Sequence, residues 1–345
     1  MPDNPLAADL DHVLEHTREL WEELRGRRIF ITGGTGFFGC WLLESFAWAN
    51  DRLGLNASAH ILTRNFDAFK KKAPHLAAHP SILFISGDIC SFDFPPGSFS
   101  HIIHAATESS TRLSAQSPLN LFDSIVSGTR HTLDFARECG AGKFLLTSSG
   151  AVYGRQPSGM THIPEEYLGA PDSTLPSSAY GEGKRAAEIL CALYSKRYGF
   201  ETKIARCFAF VGPYLPLDAH FAIGNFIRDG LSGGPIVVLG DGTPRRSYLY
   251  ASDLAIWLWT ILFKGQSCRP YNVGSDESLS IEEMAHRVAD QFSTKIEIEI
   301  HGKPSNTVEV IRYVPDASRS KNELGLSLLV PLPSAIGKTI QFIER

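Results

Sequence analysis

The sequence predicts an α/β protein in which a Rossmann-type, doubly wound parallel sheet is followed by a smaller C-terminal α/β lobe. Short apolar strands alternate with helical stretches up to residue 209, which is typical of a parallel sheet covered by helices on both faces. Prolines and glycines then crowd residues 212–244, and the alternation ends. We therefore expect an N-terminal helix over 1–26, a sheet domain over 27–209 and a smaller lobe over 210–345, some segments of which return to the sheet domain.

The predicted elements begin with an amphipathic helix over residues 9–25, whose apolar residues recur at helical spacing. We expect this helix to pack on its own domain, and a dimer contact is the alternative. The predicted strands of the sheet are residues 27–32, 57–63, 82–86, 101–106, 143–148 and 202–208. The main helices predicted between them are residues 37–50, 119–138 and 179–198.

Two segments of the second half have patterns of their own. Residues 254–263, LAIWLWTILF, are strongly apolar. A membrane-spanning helix needs about 20 such residues, so this stretch predicts a buried helix and no membrane partner. Residues 294–300, TKIEIEI, alternate like an exposed strand.

The composition excludes several classes of function. The formal net charge is −4, and a nucleic-acid-binding protein needs a strongly basic face, so we expect no nucleic-acid partner. The six cysteines lack C-x-x-C spacing, and neither they nor the histidines show the spacing of metal ligands. We therefore expect free thiols and no metal. Met1 is followed by polar and acidic residues instead of a secretory signal, which indicates a cytoplasmic protein.

The segment TGGTGFFG (32–39) joins the first strand to the first sheet-domain helix. Gly33 permits a tight turn, Gly36 leaves room for a phosphate beside the backbone, and Gly39 lets the helix lie close to the strand. The N–H groups at the start of that helix, near Phe37 and Phe38, attract a pyrophosphate. A glycine pattern in this context predicts a dinucleotide-binding site.

The end of the second strand should contact the adenosine ribose of the dinucleotide. An acidic residue there favours NAD, and an arginine favours NADP. Thr63 stands where the acid would be and Arg64 follows it, so NADP is slightly favoured over NAD, although Asp67 could supply a carboxylate. The remaining predicted cofactor contacts follow the third and fourth strands and are Asp88, Ile89, Ala105, Ala106 and Thr107.

Three polar side chains predict proton transfer beside the nicotinamide. Ser149 comes directly after the fifth predicted strand, and Tyr180 and Lys184 lie four residues apart on the next long helix, so they share one face. A free tyrosine has a pKa of about 10, and a nearby ammonium together with the nicotinamide's charge would lower it. The phenolate could then accept a proton from a sugar hydroxyl held by Ser149 while hydride leaves the carbon.

Several segments together resemble one family. These are TGGTGFFG, GDI, HAAT, SSGAVYG, YGEGK, GDGTPRRSYLYASDLA and RYVPDASRSKNELG. They resemble the extended short-chain dehydrogenase/reductases, in the NAD-dependent epimerase/dehydratase branch. The resemblance implies an enzyme whose sheet domain binds NAD or NADP and whose smaller lobe binds a nucleotide-diphosphate sugar. It implies a catalytic triad of Ser149, Tyr180 and Lys184. It also implies substrate contacts from Asn225, Arg246 and Arg312, with both arginines near the diphosphate.

Positions 150 and 151 separate the reactions of this branch. Sugar 4,6-dehydratases carry an Asp-Glu pair there, because eliminating water needs another acid and base, and UDP-glucuronate decarboxylases keep a glutamate at the second position. Here the residues are Gly150 and Ala151, which cannot move a proton. The segment SSGAVYG is most similar to that of UDP-galactose 4-epimerase and its relatives. We therefore expect a nucleotide-sugar epimerase that works through a transient 4-keto intermediate.

Departures from the family pattern leave alternatives open. Ile125 and Ala209 stand where the family usually has asparagines, and Arg64 replaces the acid that selects NAD. Arg64 favours the main alternative, an NADPH-dependent reductase of a 4-keto-6-deoxy nucleotide sugar. A non-catalytic redox sensor or scaffold is a third hypothesis, but such proteins usually lose the tyrosine or the lysine, and this chain keeps both.

The resemblance also bears on assembly. Dimers in this family often pair two helices of each subunit into a four-helix bundle. The corresponding helices here are 119–138 and 179–198, so the resemblance implies a homodimer.

Overall fold

A computed structural model describes residues 4–107, 117–219, 221–303 and 310–345. Its centre is a seven-stranded parallel sheet. The strands of this sheet are β1 (Arg28–Thr32), β2 (Ser58–Thr63), β3 (Ile82–Ser86), β4 (His101–His104), β5 (Lys143–Ser149), β6 (Glu201–Cys207) and β11 (Pro270–Val273). Their spatial order is β11-β6-β5-β4-β1-β2-β3. The chain order reverses between β1 and β4, which opens a crevice at the carboxyl ends of the strands.

Short strands form three small sheets outside the central one. These strands are β7 (Phe210–Val211), β8 (Ile236–Val238), β9 (Arg245–Arg246), β10 (Leu249–Tyr250), β12 (Leu279–Ser280), β13 (Ile298–Ile300) and β14 (Arg312–Tyr313). Strand β9 lies between β12 and β14, β10 pairs with β7, and β13 pairs with β8. The exposed strand expected over 294–300 is therefore confirmed only for its last three residues.

Helices cover both faces of the sheet and fill the smaller lobe. They are α1 (Ala7–Thr17), α2 (Phe37–Leu53), α3 (Phe66–Lys72), α4 (Pro74–Ala77), α5 (Pro118–Glu138), α6 (Ala179–Tyr198), α7 (Ala222–Leu231), α8 (Ala251–Lys264), α9 (Ile281–Ala289), α10 (Ser318–Leu324) and α11 (Leu332–Ile343). Among the described residues, no helix combines the length and the hydrophobicity that crossing a membrane requires. The apolar segment 254–263 is buried inside α8, as expected.

The strands of the sheet are apolar on both faces because a separate core packs on each. Ile29 and Ile31 face a core shared with α1, α2 and α8. Phe30, between them, faces a second core shared with α5 and α6. This is the alternation of side chains that a strand imposes, and it confirms the predicted doubly wound sheet.

Two segments of the second half of the chain pack in the sheet domain. Strand β11 extends the central sheet beside β6, with Tyr271 opposite Ala205. Helix α8 packs in the core on one face of the sheet. The smaller lobe has a third core, built mainly from α7, α9 and α11.

The N-terminal segment differs from the single helix expected over 9–25. Helix α1 ends at Thr17, and Arg18–Leu24 continue as a 3₁₀ helix. The Thr17 hydroxyl donates to the Val13 carbonyl and accepts from the Trp21 indole, at 2.6 Å and 2.9 Å. The tighter turn directs Trp21 into the core, where its ring centroid lies 4.7 Å from that of Trp259. The segment therefore packs on its own chain, which was the expected arrangement.

Replacement of Trp21 tests how strongly this segment stabilises the sheet domain. Trp21 is fully buried, so Trp21→Ala should leave a cavity and lower the free energy of unfolding by about 3–5 kcal/mol. Denaturant unfolding followed by circular dichroism measures this. Leu168→Ala is the control, because Leu168 is 94% exposed and should change stability by less than about 0.5 kcal/mol. Equal effects of the two changes would contradict the packing described here.

Candidate functional site

The turn between β1 and α2 depends on two glycines for different reasons. Gly33 has φ +72°, and a Cβ there would lie 2.5 Å from the carbonyl carbon of Ala105 at the end of β4. A Cβ on Gly39 would lie 2.3 Å from the Gly33 carbonyl oxygen. Both distances are shorter than any non-bonded contact of a Cβ, so Gly33 and Gly39 are required by the packing of the turn itself.

Gly36 has a different environment. A Cβ at this position would meet only the Gly33 carbonyl oxygen, at 3.4 Å, so folding does not require a glycine here. Gly36 is also the N-cap of α2, where no side chain accepts from the first N–H groups. Bare backbone at the start of a 17-residue helix suits an anion. The residues present therefore fit the pyrophosphate of a dinucleotide.

The predicted adenosine contacts lie around the ends of β2 and β3. Thr63 is buried at the end of β2, and Arg64 follows it on the surface. Asp88 is exposed and accepts a hydrogen bond from the Cys90 amide at 2.9 Å. Ile89 packs against Gly128 of α5, where a Cβ would lie 2.9 Å from its side chain. These contacts leave Arg64 and Asp88 at the surface beside the crevice.

Ser149, Tyr180 and Lys184 come from neighbouring elements at the carboxyl edge of the sheet. Ser149 ends β5, is 4% exposed, and accepts a hydrogen bond from the Ala151 amide at 3.1 Å. Tyr180 and Lys184 lie in the first turns of α6. The Lys184 ammonium lies 6.0 Å from the centre of the Tyr180 ring.

Lys184 is held by neutral oxygens. Its Nζ donates to the Thr107 hydroxyl at 2.6 Å and to the Thr147 carbonyl at 2.7 Å. Burial lowers its pKa to about 8, because a desolvated ammonium is disfavoured. Thr107, predicted as a cofactor contact, therefore also binds the lysine.

The Tyr180 phenol departs from the sequence-based expectation. Burial raises its pKa, and the hydrogen bond with Ser149 offsets this only in part. The expected lowering by Lys184 is not found, and among the described groups only the hydrogen bond with Ser149 lowers this pKa. Among the protein's own described groups, desolvation is the larger effect on this phenol.

Sequence reasoning missed Tyr313, which enters the site from the smaller lobe. Its hydroxyl lies 3.4 Å from the Ser149 hydroxyl and 3.5 Å from the Cys207 carbonyl, and its ring centre lies 4.7 Å from that of Phe208. A Cβ on Gly150 would lie 2.8 Å from the Tyr313 hydroxyl. The segment RYVP contains this residue, but only the fold shows that it reaches Ser149.

The predicted substrate residues lie in the smaller lobe. Arg246 is paired with Tyr313 across β9 and β14, and its guanidinium carbon lies 5.8 Å from the centre of that ring. Arg312 has a buried Nε without a hydrogen-bond partner among the described residues. Asn225, on α7, can donate to the Leu217 and Ala219 carbonyls at 3.1 Å and 2.9 Å. The structure thus places Arg246 next to Tyr313 and so close to Ser149, Tyr180 and Lys184, which we call the reacting site. The contacts of Asn225 are with a loop of its own lobe.

Comparison with known proteins decides the family. The model of the NAD dependent epimerase/dehydratase family matches residues 29–274, which is most of the chain. The protein belongs to this family.

Relatives within and around the family are enzymes of nucleotide-sugar chemistry. UDP-glucuronic acid decarboxylase 1 of Danio rerio is 29% identical over 320 residues, covering 92% of this chain and 73% of the relative. UDP-glucuronic acid 4-epimerase from Bacillus cereus, solved with UDP-glucuronic acid and NAD, has a TM-score of 0.77 at 22% identity, covering 92% of this chain and 99% of that one. DesIV, a dTDP-glucose 4,6-dehydratase from Streptomyces venezuelae solved with NAD, has a TM-score of 0.77 at 23% identity, covering 92% and 97%. The family member described here is an enzyme with their fold.

One group of side chains outside this site has the geometry of metal ligands. His12, Glu15 and His16 of α1 each offer a ligand atom, and these atoms lie within 4.8 Å of one another. The histidines are four residues apart and so share a helix face, a spacing that the prediction of no metal-ligand pattern missed. No residue of the reacting site belongs to this group.

Two alanine substitutions in the glycine turn should separate folding from binding. Gly39→Ala forces a clash with the Gly33 carbonyl and should lower the free energy of unfolding by about 1–3 kcal/mol. Gly36→Ala should cost less than about 1 kcal/mol, yet weaken the binding of NADH and NADPH, because its methyl group occupies the phosphate space. Denaturant unfolding and titration of cofactor fluorescence measure the two effects. Unchanged affinity in Gly36→Ala would contradict the assignment of the turn.

Proposed function

We propose that the enzyme is a nucleotide-diphosphate-sugar 4-epimerase that works through a transient 4-keto intermediate and a bound nicotinamide dinucleotide. The observation that supports this most is the composition of the reacting site. Ser149, Tyr180 and Lys184 supply one acid/base unit, and the adjoining Gly150 and Ala151 supply none. Epimerisation at one carbon needs only one such unit, together with a cofactor that takes hydride from the carbon and returns it.

Tyr180 is the proposed acid/base group in this reaction. Its phenolate would accept the proton of the 4-hydroxyl, and the neutral phenol would return it. Ser149 would hold the same sugar oxygen at the end of β5. Lys184 is the buried cation beside them, and its pKa of about 8 keeps it charged at neutral pH.

Reactions that need a second acid or base are disfavoured because neither of the two residues after Ser149 can supply one. A side chain at position 150 would lie 2.7 Å from the Phe208 ring. At position 151 the Ala methyl group has no proton to transfer. The relatives found by sequence are UDP-glucuronic acid decarboxylases, but their family pattern keeps a glutamate where this chain has Ala151. We therefore favour epimerisation over decarboxylation and 4,6-dehydration.

The proposed substrate is a nucleotide-diphosphate sugar, with a UDP-sugar as the first choice. Arg246 and Arg312 would supply the positive charge for the diphosphate, because guanidinium groups bind phosphate oxygens through paired hydrogen bonds. Asn225 is the third proposed contact. The uridine nucleotide is inferred from the names of the relatives, which act on UDP-glucuronic acid.

The alternative is an NADPH-dependent reductase of a 4-keto-6-deoxy nucleotide sugar. Arg64 favours it, because this residue follows β2 where NAD-selective relatives carry an acid, and an arginine there can pair with the 2′-phosphate of NADP. A raised pKa at Tyr180 also suits an acid that donates a proton to a ketone. NAD is the cofactor of the structural neighbours, so the choice of dinucleotide is part of the test.

The state of the cysteine thiols indicates the cellular compartment in which the enzyme works. All six cysteines are free, which fits a reducing environment. We place the enzyme in the cytoplasm on this ground.

Proton NMR of the turnover mixture in D2O separates the candidate reactions. We expect UDP-glucose or UDP-galactose to convert into a mixture of the two 4-epimers, without deuterium in the sugar and without net consumption of NADPH. A dehydratase would introduce solvent deuterium at C5, where a proton is removed and replaced, and a decarboxylase supplied with UDP-glucuronic acid would introduce it at C5, where CO2 leaves. A reductase supplied with a 4-keto nucleotide sugar would oxidise NADPH in proportion to product. Tyr180→Phe should lower the rate by about 10²–10⁴. Unchanged turnover in that variant would refute the role of Tyr180.

We also propose a homodimer through α5 and α6. Leu119 of α5 is 70% exposed, and Ile189 and Leu193 of α6 are 57% and 56% exposed. Ile189 and Leu193 are four residues apart and share a helix face. The exposed apolar residues of α6, together with the exposed leucine at the start of α5, suit burial against a second copy.

Charge on this face should dissociate the dimer. We expect the double variant Ile189→Glu/Leu193→Glu to be monomeric in light scattering coupled to gel filtration, while the unmodified protein has twice that mass. Leu239→Glu is the control, because Leu239 is 80% exposed on the other lobe and should leave the mass unchanged. A monomeric unmodified protein would refute the proposal.

A further inference from the structure

A partly buried carboxylate one helical turn beyond Lys184 joins three elements of the site. Glu188 of α6 is 12% exposed at its side chain. The Ser148 hydroxyl donates to its Oε1 at 2.6 Å. Arg206 donates to both of its oxygens, through Nε at 3.0 Å and Nη2 at 2.7 Å. This is the two-point geometry that makes arginine–carboxylate pairs strong and directional.

Each partner of Glu188 is next to a residue of the reacting site. Ser148 precedes Ser149 on β5, and Arg206 precedes Cys207 on β6. Ser148 and Arg206 are also opposite each other in the pairing of these two strands. One carboxylate thus connects the ends of two neighbouring strands to the helix that carries Tyr180 and Lys184.

The second role of Glu188 is electrostatic. Burial is the largest effect on the Lys184 pKa and lowers it to about 8, while the charge of Glu188 acts in the opposite direction. Among the residues that the structure describes, the other titratable groups that face Lys184 carry no charge near neutral pH. Burial raises the pKa of the Cys207 thiol on β6 and of the Cys191 thiol on α6, and it lowers the pKa of His104 on β4 to about 3.

Two further groups complete the surroundings of this cluster. Tyr180 faces Lys184 from α6, and burial raises its pKa, so this phenol is neutral. Arg206 faces Glu188 from β6, where its guanidinium carbon also lies 4.7 Å from the centre of the Tyr153 ring. Within the described part of the chain, Glu188 is therefore the anion that favours the charged form of Lys184.

We propose that Glu188 is a positioning residue of this site, which fixes α6 against β5 and β6 through Ser148 and Arg206 and whose negative charge favours the ammonium form of Lys184. The inference rests on the proposed function for its effect on turnover. Its effect on the ionisation of Lys184 does not depend on any substrate.

Glu188→Gln tests the electrostatic part, because the amide keeps the shape and can still accept from Ser148. The measurement is the NMR titration of the ¹³Cε resonance of Lys184 in protein labelled at lysine, assigned with Lys184→Arg. Lys184 is protonated below its folded-state pKa and loses its charge as the pH rises through it. We expect the midpoint to fall by about one pH unit, a tenfold change in the protonation constant. The alkaline limb of kcat should move in the same direction.

Three other variants distinguish the positioning role of Glu188 from its electrostatic role and show whether an effect comes only from misfolding. Ser148→Ala removes one connection but keeps the ion pair, so it should lower kcat without moving the Lys184 midpoint. Glu182→Gln is the matched control on α6, because Glu182 makes a longer ion pair with Arg185 at 3.7 Å and should change neither quantity. Glu188→Asp keeps the negative charge, so the midpoint of its Lys184 titration should lie between those of Glu188→Gln and the unmodified protein.

The outcomes distinguish this inference from the proposed function. A Lys184 midpoint in Glu188→Gln equal to that of the unmodified protein would overturn the electrostatic role, and an unchanged kcat in Ser148→Ala would overturn the positioning role. Absence of turnover with every nucleotide sugar, together with a shifted midpoint, would count against the proposed function and leave the role of Glu188 in place.

Discussion

The buried ammonium of Lys184 is the constraint on which the arrangement of this site depends. A charge that is 2% exposed loses its hydration and must be compensated by the protein. The Thr107 hydroxyl and the Thr147 carbonyl supply two oxygens. The ends of β4 and β5 therefore both bind the ammonium. The same requirement fixes α6, because Lys184 can reach these oxygens only when the helix starts close to the sheet edge. Tyr180, one turn earlier, is thereby placed beside Ser149.

The smaller lobe completes the site from the opposite side. Tyr313 reaches Ser149 because β14 pairs with β9 and because the Val314 amide donates to the side chain of Gln156 at 3.1 Å. This placement explains why residue 150 is a glycine, since any side chain there would collide with Phe208 and Tyr313. The absence of an acid at position 150 is thus a consequence of packing between the two parts of the chain. A single substitution at residue 150 could not restore the acid without moving two aromatic rings.

The sequence predicted those features of the molecule that local spacing determines. The glycine turn, the six strands up to Cys207 and the Tyr180–Lys184 pair are each contained in a few consecutive residues, so their periodicity was sufficient. Contacts across long stretches of chain were not predictable in this way. Tyr313 meets Ser149 over 164 residues of sequence. Some segments of the second half were expected to return to the sheet domain, but their pattern did not identify β11 as the strand that joins the central sheet. The single helix expected over 9–25 ends at Thr17 instead. Local spacing could not predict this, because Trp21 is buried against Trp259 of α8, which is distant in sequence.

The ionisation of Tyr180 shows why the whole site is needed for chemistry. Burial raises the pKa of the phenol, and Lys184, whose ammonium lies 6.0 Å from the centre of the ring, does not reverse this. The phenol therefore remains protonated unless another positive charge lies beside it. An oxidised nicotinamide carries such a charge and a reduced one does not, so the redox state of the cofactor would determine whether Tyr180 acts as a base or as an acid. In an epimerase both states occur within one turnover, and one tyrosine can then perform both proton transfers. In a reductase only the acid is required, and the desolvated phenol already has that form. The electrostatics of Tyr180 are compatible with both reactions, so the choice between them depends on whether the bound sugar can present its other face to the nicotinamide before the product leaves.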